Sequence, residues 1–435
     1  MKKYKIVILV CAFTLLGIFT CRVSKTSNVY EENENNQMKK QVNTISMMLE
    51  TEAGSGKYEM TTRDSWPTEG YVFNSTLSKC ENGGELSWDD TNKKVLMSGN
   101  ISDKCYVYFD IETKVFLADY VKSLYTGTQG DNNIYYHDSS LENGAGDNSY
   151  RYAGSSETTN NYVCFGSDAD TCPEDNLYRI IGVFDGKVKL IKSTGTTNTL
   201  LGTDGTYTSN SRSYAWTDLD SCPSTTAYKF DNNVVVLSNK NILGAVPDGG
   251  KSGCNMWKYS NLNSVNLNTN FITNLGIKWA ALVDNATWKV SGYSTANVTA
   301  KTMYTAEITN ATKTYGPSDG TSKIGLMYAS DYGFAASPSA WTTLLSSYND
   351  SSIKSTNWIY NAGMEWTMTP YSSDSYSVFI LSYVSTVSNT GNLGTWSSLG
   401  GAAAGFGTRP AMYLNASVVY TRGSGTASDP IRIEI

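Results

Sequence analysis

Residues 176–193 read NLYRIIGVFDGKVKLIKS, two runs of β-forming residues on either side of an Asp185-Gly186 pair. An Asp-Gly pair accommodates the positive φ angles of a type I′ turn, whose twist matches that of the strands it joins. The stretch therefore predicts a β-hairpin. The segment just before it, VCFGSDADTC at 163–172, contains two cysteines that could form a disulfide at the start of that hairpin.

The cysteines of this entry segment belong to a larger set. Two of the eight cysteines, Cys11 and Cys21, lie in an apolar N-terminal run, and six remain. An even number in an exported chain predicts a disulfide framework. Proximity in sequence selects three pairs: Cys80 with Cys105, Cys164 with Cys172, and Cys222 with Cys254.

The spacing of these cysteines argues against other chemistry. A zinc site needs closely spaced cysteine pairs or histidine partners, and His137 is the single histidine of the chain. A redox centre of the thioredoxin type needs a CxxC motif, which the sequence does not contain. We expect no metal, and no free thiol for nucleophilic chemistry.

The N-terminus, MKKYKIVILVCAFTLLGIFTCRVSK, places three lysines before an uncharged apolar run over 6–21. That run is intermediate in length between a signal-peptide core and a membrane-spanning helix. No small-residue cleavage pattern follows it, so we predict an uncleaved signal anchor over 1–28. The basic flank predicts a single-pass protein of the cell membrane with an extracellular C-terminal region. Lipidation at Cys21 is an alternative.

Composition limits the class of protein. With 435 residues the chain is long enough for two or three folded units, and its 30 tyrosines, 10 tryptophans and 37 glycines suit strands and turns. The net charge of −6 argues against a nucleic-acid partner, because phosphate-binding surfaces concentrate lysine and arginine.

The region between the anchor and the first predicted β-unit, 29–60, predicts a stalk helix and a linker. Met38, Val42, Ile45 and Leu49 recur at helical spacing over 30–50. Residues 61–112 then predict a small β module closed by a Cys80–Cys105 disulfide, with strands at the β-forming runs 71–73, 85–88, 94–97 and 105–109.

The rest of the chain predicts a short helix and connector over 113–150, followed by a large domain over 151–435. The helix falls within 113–125, and the tyrosines after it are expected to pack on the large domain. Within that domain we expect a helix ending at Gly276. Buried strands are predicted at 324–335, 376–384, 409–420 and 430–435.

Several motifs occur in a fixed order: VCFGSDADTCPEDNLYRIIGVF (163–184), YASDYGFA (328–335), EWTMTPYSS (365–373) and GTRPAMYLNASVVYTRGSGTASDPIRI (407–433). Together they resemble an uncharacterised domain of exported Firmicutes proteins. The RPAMYL segment is similar to the end of C-type-lectin-like domains of the formylglycine-generating-enzyme type. YVFNSTLSKCENGG (71–84) with SDKCYVYFD (102–110) looks like a module that often precedes this domain.

This resemblance implies an α+β fold class. The large domain would be a C-type-lectin-like mixed domain with irregular loops, preceded by the small disulfide-closed module and the N-terminal anchor and stalk helix. Formylglycine-generating enzymes bind copper through two late cysteines, and no cysteine follows Cys254 here. We therefore expect the copper chemistry to be absent.

The sequence gives little evidence for other catalytic arrangements. A serine-histidine-acid triad would need His137, which lies in the connector. Asp331 and Glu365 could act as a carboxylate pair on a glycosidic bond, but we favour a structural pairing of Glu365 with Arg409. Calcium could bind the acidic, glycine-rich segments at 142–148, 172–176 and 202–206, which more often form plain turns. We expect no cofactor.

The aromatic residues favour binding. The segment NTGNLGTWSSLGGAAAGFG (389–407) is a Gly/Ala-rich predicted loop that contains Trp396 and lies just before Arg409. The candidate binding face comprises Trp396, Arg409, Glu365, Trp366 and Asp331. We therefore predict a membrane-anchored extracellular binding or adhesion protein of a Gram-positive-type bacterium, with a glycan, peptide or protein ligand. The alternatives are an extracellular hydrolase of glycan or cell wall that uses carboxylates, and a structural surface or pilus-like component.

Overall fold

The structure, a computed structural model, divides into two compact units, Met1–Lys114 and Val115–Ile435, which are described separately. The residues described are 12–13, 19–20, 27–32, 38–61, 65–67, 69–99, 103–204, 207–208, 213–215, 227–230, 233–236, 257, 260, 262–309, 320–361, 363–370, 378–381, 384–385, 388–389, 391–396 and 405–434.

The first unit is built of strands. In chain order they are β1 Ala12–Phe13, β2 Phe19–Thr20, β3 Ser27–Glu32, β4 Met38–Glu50, β5 Tyr58–Met60, β6 Tyr71–Phe73, β7 Lys79–Cys80, β8 Glu85–Asp89, β9 Lys94–Ser98 and β10 Lys104–Ile111. The main sheet has the order β3-β4-β10-β6, with β5 on β4 and β7 on β10. β8 and β9 form a separate hairpin.

The predicted β module is confirmed in its strands and its staple. β6, β8, β9 and β10 cover the four predicted runs. Cys80 lies opposite Cys105 in the β7–β10 pairing, and the two are joined by a disulfide. Trp66 and Phe109 pack in the core of this unit together with residues of β4.

The predicted stalk helix is wrong, because Met38–Glu50 is the strand β4. It runs parallel to β10, with Met47 paired to Val107. Ile45, Met47 and Leu49 are buried in the core of the unit, so the apolar pattern that decides the structure has period two. The helical spacing in the sequence is overridden by a strand partner more than fifty residues away.

The predicted signal anchor over 1–28 lies almost wholly outside the described residues. The described parts are the antiparallel pair β1 and β2 and the start of β3. In the portion of the chain that the structure describes, no helix has both the length and the apolar character needed to cross a membrane.

The second unit combines short helices with antiparallel sheets. Its helices are α1 Leu117–Ser123, α2 Asn198–Leu201, α3 Ile272–Leu275, α4 Ile277–Leu282, α5 Ala300–Tyr304, α6 Ala329–Ala335 and α7 Ser351–Ser355, with π-helical segments Leu262–Phe271 and Thr305–Thr309. Short 3-10 turns occur at Asp131–Asn133, Glu174–Asn176, Pro338–Ala340 and Leu345–Ser347.

Its strands follow the same numbering. They are β11 Val115–Phe116, β12 Ile134–His137, β13 Ser149–Tyr152, β14 Tyr162–Cys164, β15 Leu177–Phe184, β16 Lys187–Lys192, β17 Tyr207–Thr208, β18 Ser213–Ala215, β19 Ala227–Phe230, β20 Asn233–Val236, β21 Ala286–Trp288, β22 Gly320–Ser322, β23 Ile324–Gly325, β24 Glu365–Pro370, β25 Val378–Leu381, β26 Val384–Ser385, β27 Ser388–Asn389, β28 Leu393–Trp396, β29 Gly405–Phe406, β30 Ala411–Tyr413, β31 Val419–Arg422 and β32 Arg432–Glu434. Sheets and few helices confirm the coarse α+β class.

The central sheet of this unit has the order β12-β13-β15-β16-β30-β23, with β14 also paired to β15. The predicted hairpin is its middle: β15 and β16 meet at Asp185 and Gly186, which both have positive φ. The β15–β16 register shifts between Ile180 and Gly182, and a Cβ atom at Gly182 would lie 2.2 Å from the carbonyl oxygen of Tyr150. Glycine is therefore required where β13 and β15 approach.

The disulfide between Cys164 and Cys172 confirms the predicted staple at the entry to this hairpin. Cys222 and Cys254 lie outside the described residues. The segment predicted as the connector supplies β12 and β13, the first strands of the central sheet. The helix predicted in 113–125 is α1, and the helix predicted before Gly276 is a π-helical segment that continues into α3.

One predicted strand in the large domain is wrong over most of its length. Of residues 324–335, Ile324–Gly325 alone forms a strand, and Ala329–Ala335 is the helix α6. Asp331 accepts a hydrogen bond from the backbone N–H of Tyr328 at 2.9 Å, which satisfies a free donor at the helix start. All seven residues of α6 are buried, so apolar content alone does not distinguish a buried helix from a buried strand.

We expect Met47→Ala to lower the free energy of unfolding of the first unit by about 2–5 kcal/mol, because it leaves a cavity under the sheet. Met47 is fully buried, whereas Met60 is 61% exposed. Met60→Ala is the matched control and should change the stability by less than about 0.5 kcal/mol. Denaturant unfolding followed by tryptophan fluorescence measures both. If both substitutions change the free energy of unfolding by the same small amount, the strand assignment of Met38–Glu50 is contradicted.

Candidate functional site

Four of the five residues of the candidate binding face predicted from the sequence are buried. Arg409, Glu365, Trp366 and Asp331 are each at most 3% exposed. Trp396 is the last residue of β28, and its side chain lies outside the described part. Glu365 and Arg409 form one network and Asp331 belongs to another, while Trp366 is part of the hydrophobic core.

The predicted pairing of Glu365 with Arg409 is confirmed. Nε and Nη2 of Arg409 both lie 2.7 Å from Oε2 of Glu365. Nη2 also donates to the carbonyl oxygen of Ile359 at 2.8 Å, and Asn361 donates to Oε1 of Glu365 at 2.9 Å. The carboxylate is thus fully engaged as a structural ion pair.

A second arginine near this pair was not recognised in the sequence. Arg179 of β15 is stacked between the rings of Tyr162 and Trp358, at 4.3 and 4.8 Å from its guanidinium carbon to the ring centres. It donates to Asn161 at 2.6 Å and to the carbonyl oxygen of Thr159 at 2.8 Å. Burial lowers the pKa of Arg179 to about 10, so it remains charged at neutral pH.

The second network forms the floor of a cavity of about 450 Å³. The cavity lies over the central sheet, between β13, the β15–β16 hairpin, β30 and the segment that begins α6. Its lining combines aromatic rings with groups of both charges: Asp147, Ser149, Arg151, Phe184, Asp185, Lys187, Lys189, Asp284, Asn285, Ala286, Thr287, Lys289, Tyr304, Ile308, Tyr328, Ser330, Asp331 and Tyr413.

Arg151 of β13 is fixed at one side of the floor. Its Nη2 lies 2.6 Å from Oδ2 of Asp147, and its Nε donates to Ser149 at 2.7 Å. The rings of Phe184 and Tyr304 lie 4.6 and 5.0 Å from its guanidinium carbon. Burial opposes ionisation of Asp147, but Arg151 and the hydroxyls of Ser149 and Tyr304 hold the pKa of that carboxyl below its usual range.

Lys189 of β16 occupies the centre of the floor. Its Nζ lies 2.5 Å from Oδ2 of Asp331, and both side chains are almost completely buried. Four rings surround the amine, with centres 4.4–5.7 Å away: Tyr328, Tyr413, Trp288 and Phe184. Burial lowers the pKa of Lys189, although Asp331 opposes this by favouring the charged amine.

Asp331 joins the two cations. Its Oδ1 lies 3.7 Å from Nη1 of Arg151, while its Oδ2 accepts from Lys189. Glu307 is a further buried carboxyl group next to it. It accepts the backbone N–H of Ser330 at 3.3–3.4 Å and a short hydrogen bond from the hydroxyl of Thr369. Burial raises the pKa of Glu307 to about 8, so this group is protonated at neutral pH.

The rim of the cavity is more exposed than the floor. Lys187 and Asp284 form an ion pair at 2.6 Å, with side chains 41% and 21% exposed. Lys289 donates to the carbonyl oxygen of Ile308 at 2.8 Å. Across the whole lining, the cations Arg151, Lys187, Lys189 and Lys289 match the anions Asp147, Asp185, Asp284 and Asp331. The site is therefore polar and close to neutral, with aromatic walls.

Sequence reasoning identified Asp331 and missed Arg151, Lys189, Asp147 and Glu307. A signal was present in KVKLIK (187–192), where Lys187 and Lys189 alternate with apolar residues and so share one face of the strand. Because charged residues at alternate strand positions usually face solvent, this pattern did not indicate burial.

The other candidate chemistries have structural explanations. His137 is fully buried, and the rings of Phe334 and Trp341 lie 5.0 and 5.1 Å from it. Burial lowers the pKa of His137 well below its usual value. Among the described residues, the one cluster of possible metal ligands is Cys80, Asp103 and Cys105, whose two sulfur atoms form a disulfide.

In each acidic segment considered for calcium, one aspartate contacts another side chain of the protein. Asp147 binds Arg151, and Asp175 lies 3.6 Å from Nζ of Lys192. Asp204 accepts a hydrogen bond from Asn270 at 2.7 Å.

Comparison with protein-family models, with curated proteins and with solved structures found no match to this chain. The function is therefore argued from the geometry of the cavity.

Glu365→Gln should lower the free energy of unfolding of the second unit by about 3–5 kcal/mol, because Arg409 then lacks its buried counter-charge. Asp119→Asn is the control, since Asp119 and Lys122 form an exposed pair at 3.2 Å. That change should cost less than about 1 kcal/mol. Urea denaturation measures both, and comparable effects would contradict a structural role for the buried pair.

Glu307→Gln should change how stability depends on pH. Between pH 4.5 and about 8, folded Glu307 holds a proton that the unfolded chain has released, so stability falls as pH rises. This group lowers the free energy of unfolding by at most about 1.4 kcal/mol per pH unit, and the substitution by glutamine removes that contribution. Urea denaturation at about pH 5, 7 and 9 tests this. Glu142 is exposed, so Glu142→Gln should keep the wild-type dependence of stability on pH. If stability changes with pH in Glu307→Gln as it does in wild type, the raised pKa of Glu307 is refuted.

Proposed function

We propose that this protein is a membrane-anchored extracellular binding or adhesion protein of a Gram-positive-type bacterium, and that its second unit binds a polar glycan or peptide in the cavity above the central sheet. The observation that carries the proposal is the lining. Aromatic rings offer faces for stacking, while matched cations and anions offer hydrogen bonds without a strong net charge.

The two disulfides support an extracellular location, because disulfides persist mainly in oxidising compartments. The finer fold proposed for the second unit is C-type-lectin-like. Its short helices, antiparallel sheets and irregular connections support this, and the RPAMYL segment supplies β30 next to the central hairpin.

The state of the carboxylates supports binding over hydrolysis. A hydrolase of the retaining or inverting type needs two carboxyl groups that flank one bond, one of them free to attack or to activate water. Asp331 is held by Lys189 and Arg151, and Glu365 is held by Arg409. A ligand would therefore meet a fixed, hydrogen-bonded floor.

A screen of the full chain against glycan and peptide arrays should find a ligand whose affinity falls about tenfold in Lys187→Ala, a loss of about 1.4 kcal/mol from the rim. Lys278→Ala is the matched control, because Lys278 and Asp168 form a surface ion pair of the same 2.6 Å length outside the cavity. It should bind as wild type does.

The same screen separates the alternatives. Loss of binding in Trp396→Ala with no loss in Lys187→Ala would place recognition at the 389–407 segment and contradict the cavity site. Release of sugar from a bound glycan would contradict the non-catalytic role. Filament formation by the purified chain, without ligand binding, would favour a structural surface component.

A further inference from the structure

The contact between Lys189 and Asp331 has the geometry of two reactants as well as that of an ion pair. Nζ lies 2.5 Å from Oδ2, and the side chains are 1% and 2% exposed. Two groups held in contact away from water gain the advantage of an intramolecular reaction. We propose that Lys189 and Asp331 condense to an amide, which cross-links β16 to α6.

The reaction is a dehydration. A proton first passes from Nζ of Lys189 to the Asp331 carboxylate, which gives a neutral amine and a neutral acid. The Nζ–Cγ bond then forms, the Cγ–Oδ2 bond breaks, and Oδ2 leaves as water with the acid proton and one amine proton. Nothing is oxidised or reduced, and no co-reactant is required.

The surroundings exclude water from the reacting groups. Burial lowers the pKa of Lys189, although Asp331 opposes this by favouring the charged amine. An uncharged amine is the form that attacks a carbonyl carbon. A buried ion pair also carries a large desolvation cost, which an amide does not have.

Neighbouring groups are placed to assist. Arg151 lies 3.7 Å from Oδ1, the oxygen that becomes the amide carbonyl, and so stabilises the negative charge that develops there during attack. The N–H of Tyr328 donates to Oδ2 at 2.9 Å and orients the leaving oxygen. Arg151 keeps Asp147 as a partner at 2.6 Å after Asp331 has reacted.

Glu307 completes the arrangement. It binds the backbone N–H of Ser330, the residue before Asp331, and its burial, which raises its pKa to about 8, keeps it protonated at neutral pH. We assign it a positioning role, because it holds the backbone at the start of α6 beside Asp331.

Mass spectrometry of the full chain, purified folded and then fully reduced, tests the link. The mass should be lower by one water molecule than the sequence requires. Trypsin should then release a branched peptide that joins Val188–Lys192 to Ile324–Lys354, because an acylated Lys189 is not cut. Folded protein of full mass that is cleaved after Lys189 would overturn the proposal.

The same digest contains its own control. Lys187 and Asp284 are similarly close, 2.6 Å apart, but their side chains are partly exposed, so they should stay unlinked and Lys187 should be cut. Linkage of both pairs would mean that contact alone suffices, against the argument from burial.

Variants test the groups involved. Lys189→Met should restore the full mass, and a mass that stays lower by one water molecule would contradict the assignment of the nitrogen. Glu307→Ala, which removes the acceptor for the Ser330 N–H, should lower the linked fraction of folded protein by on the order of a hundredfold, with recovery in Glu307→Gln, which keeps an acceptor oxygen. Full linkage in Glu307→Ala would remove Glu307 from the reaction.

Discussion

The side chain of Asp331 links the central sheet of the second unit to α6, as an ion pair and, after the proposed reaction, as an amide. Asp331 contacts Lys189 from β16 and Arg151 from β13, two strands separated by β15 in the sheet. Two cations buried this close would repel each other and lose their hydration without an anion between them. Because Asp331 stands at the start of α6, the position of that helix over the sheet is determined by charge as well as by packing.

The cavity is a consequence of strand alternation. Lys187 and Lys189 project from one face of β16, while Val188 and Leu190 face the hydrophobic core on the other side. The amine of Lys189 lies among the rings of Phe184, Trp288, Tyr328 and Tyr413, and this low-dielectric setting strengthens its ion pair with Asp331. A site that combines fixed charges with aromatic walls is suited to recognising a polar ligand.

Local signals predicted part of this structure and non-local pairing decided the rest. The Asp185-Gly186 turn and the Cys164–Cys172 pair are short-range features, and both are present. Met38–Glu50 is a strand because it pairs with β10. That partner lies far along the chain, so the local hydrophobic period does not predict the pairing. The buried cations were missed for the same reason: Lys189 resembles a solvent-facing residue until Asp331 is brought to it from 142 positions away.

The abundance of buried cations in a weakly charged chain follows from its irregular backbone. Within the described residues no α-helix of the second unit exceeds seven residues, so many carbonyl groups lie outside regular hydrogen-bond ladders. Buried carbonyls need donors. Arg179 donates to Thr159 and Trp358, Arg409 donates to Ile359, and Lys323 donates to the carbonyls of Ala280 and Val283. Long cationic side chains thus take the place of secondary structure in holding the loops, and their charges in turn require the few buried carboxylates. This explains why Glu365, although it is a carboxylate beside aromatic residues, serves the architecture of the fold.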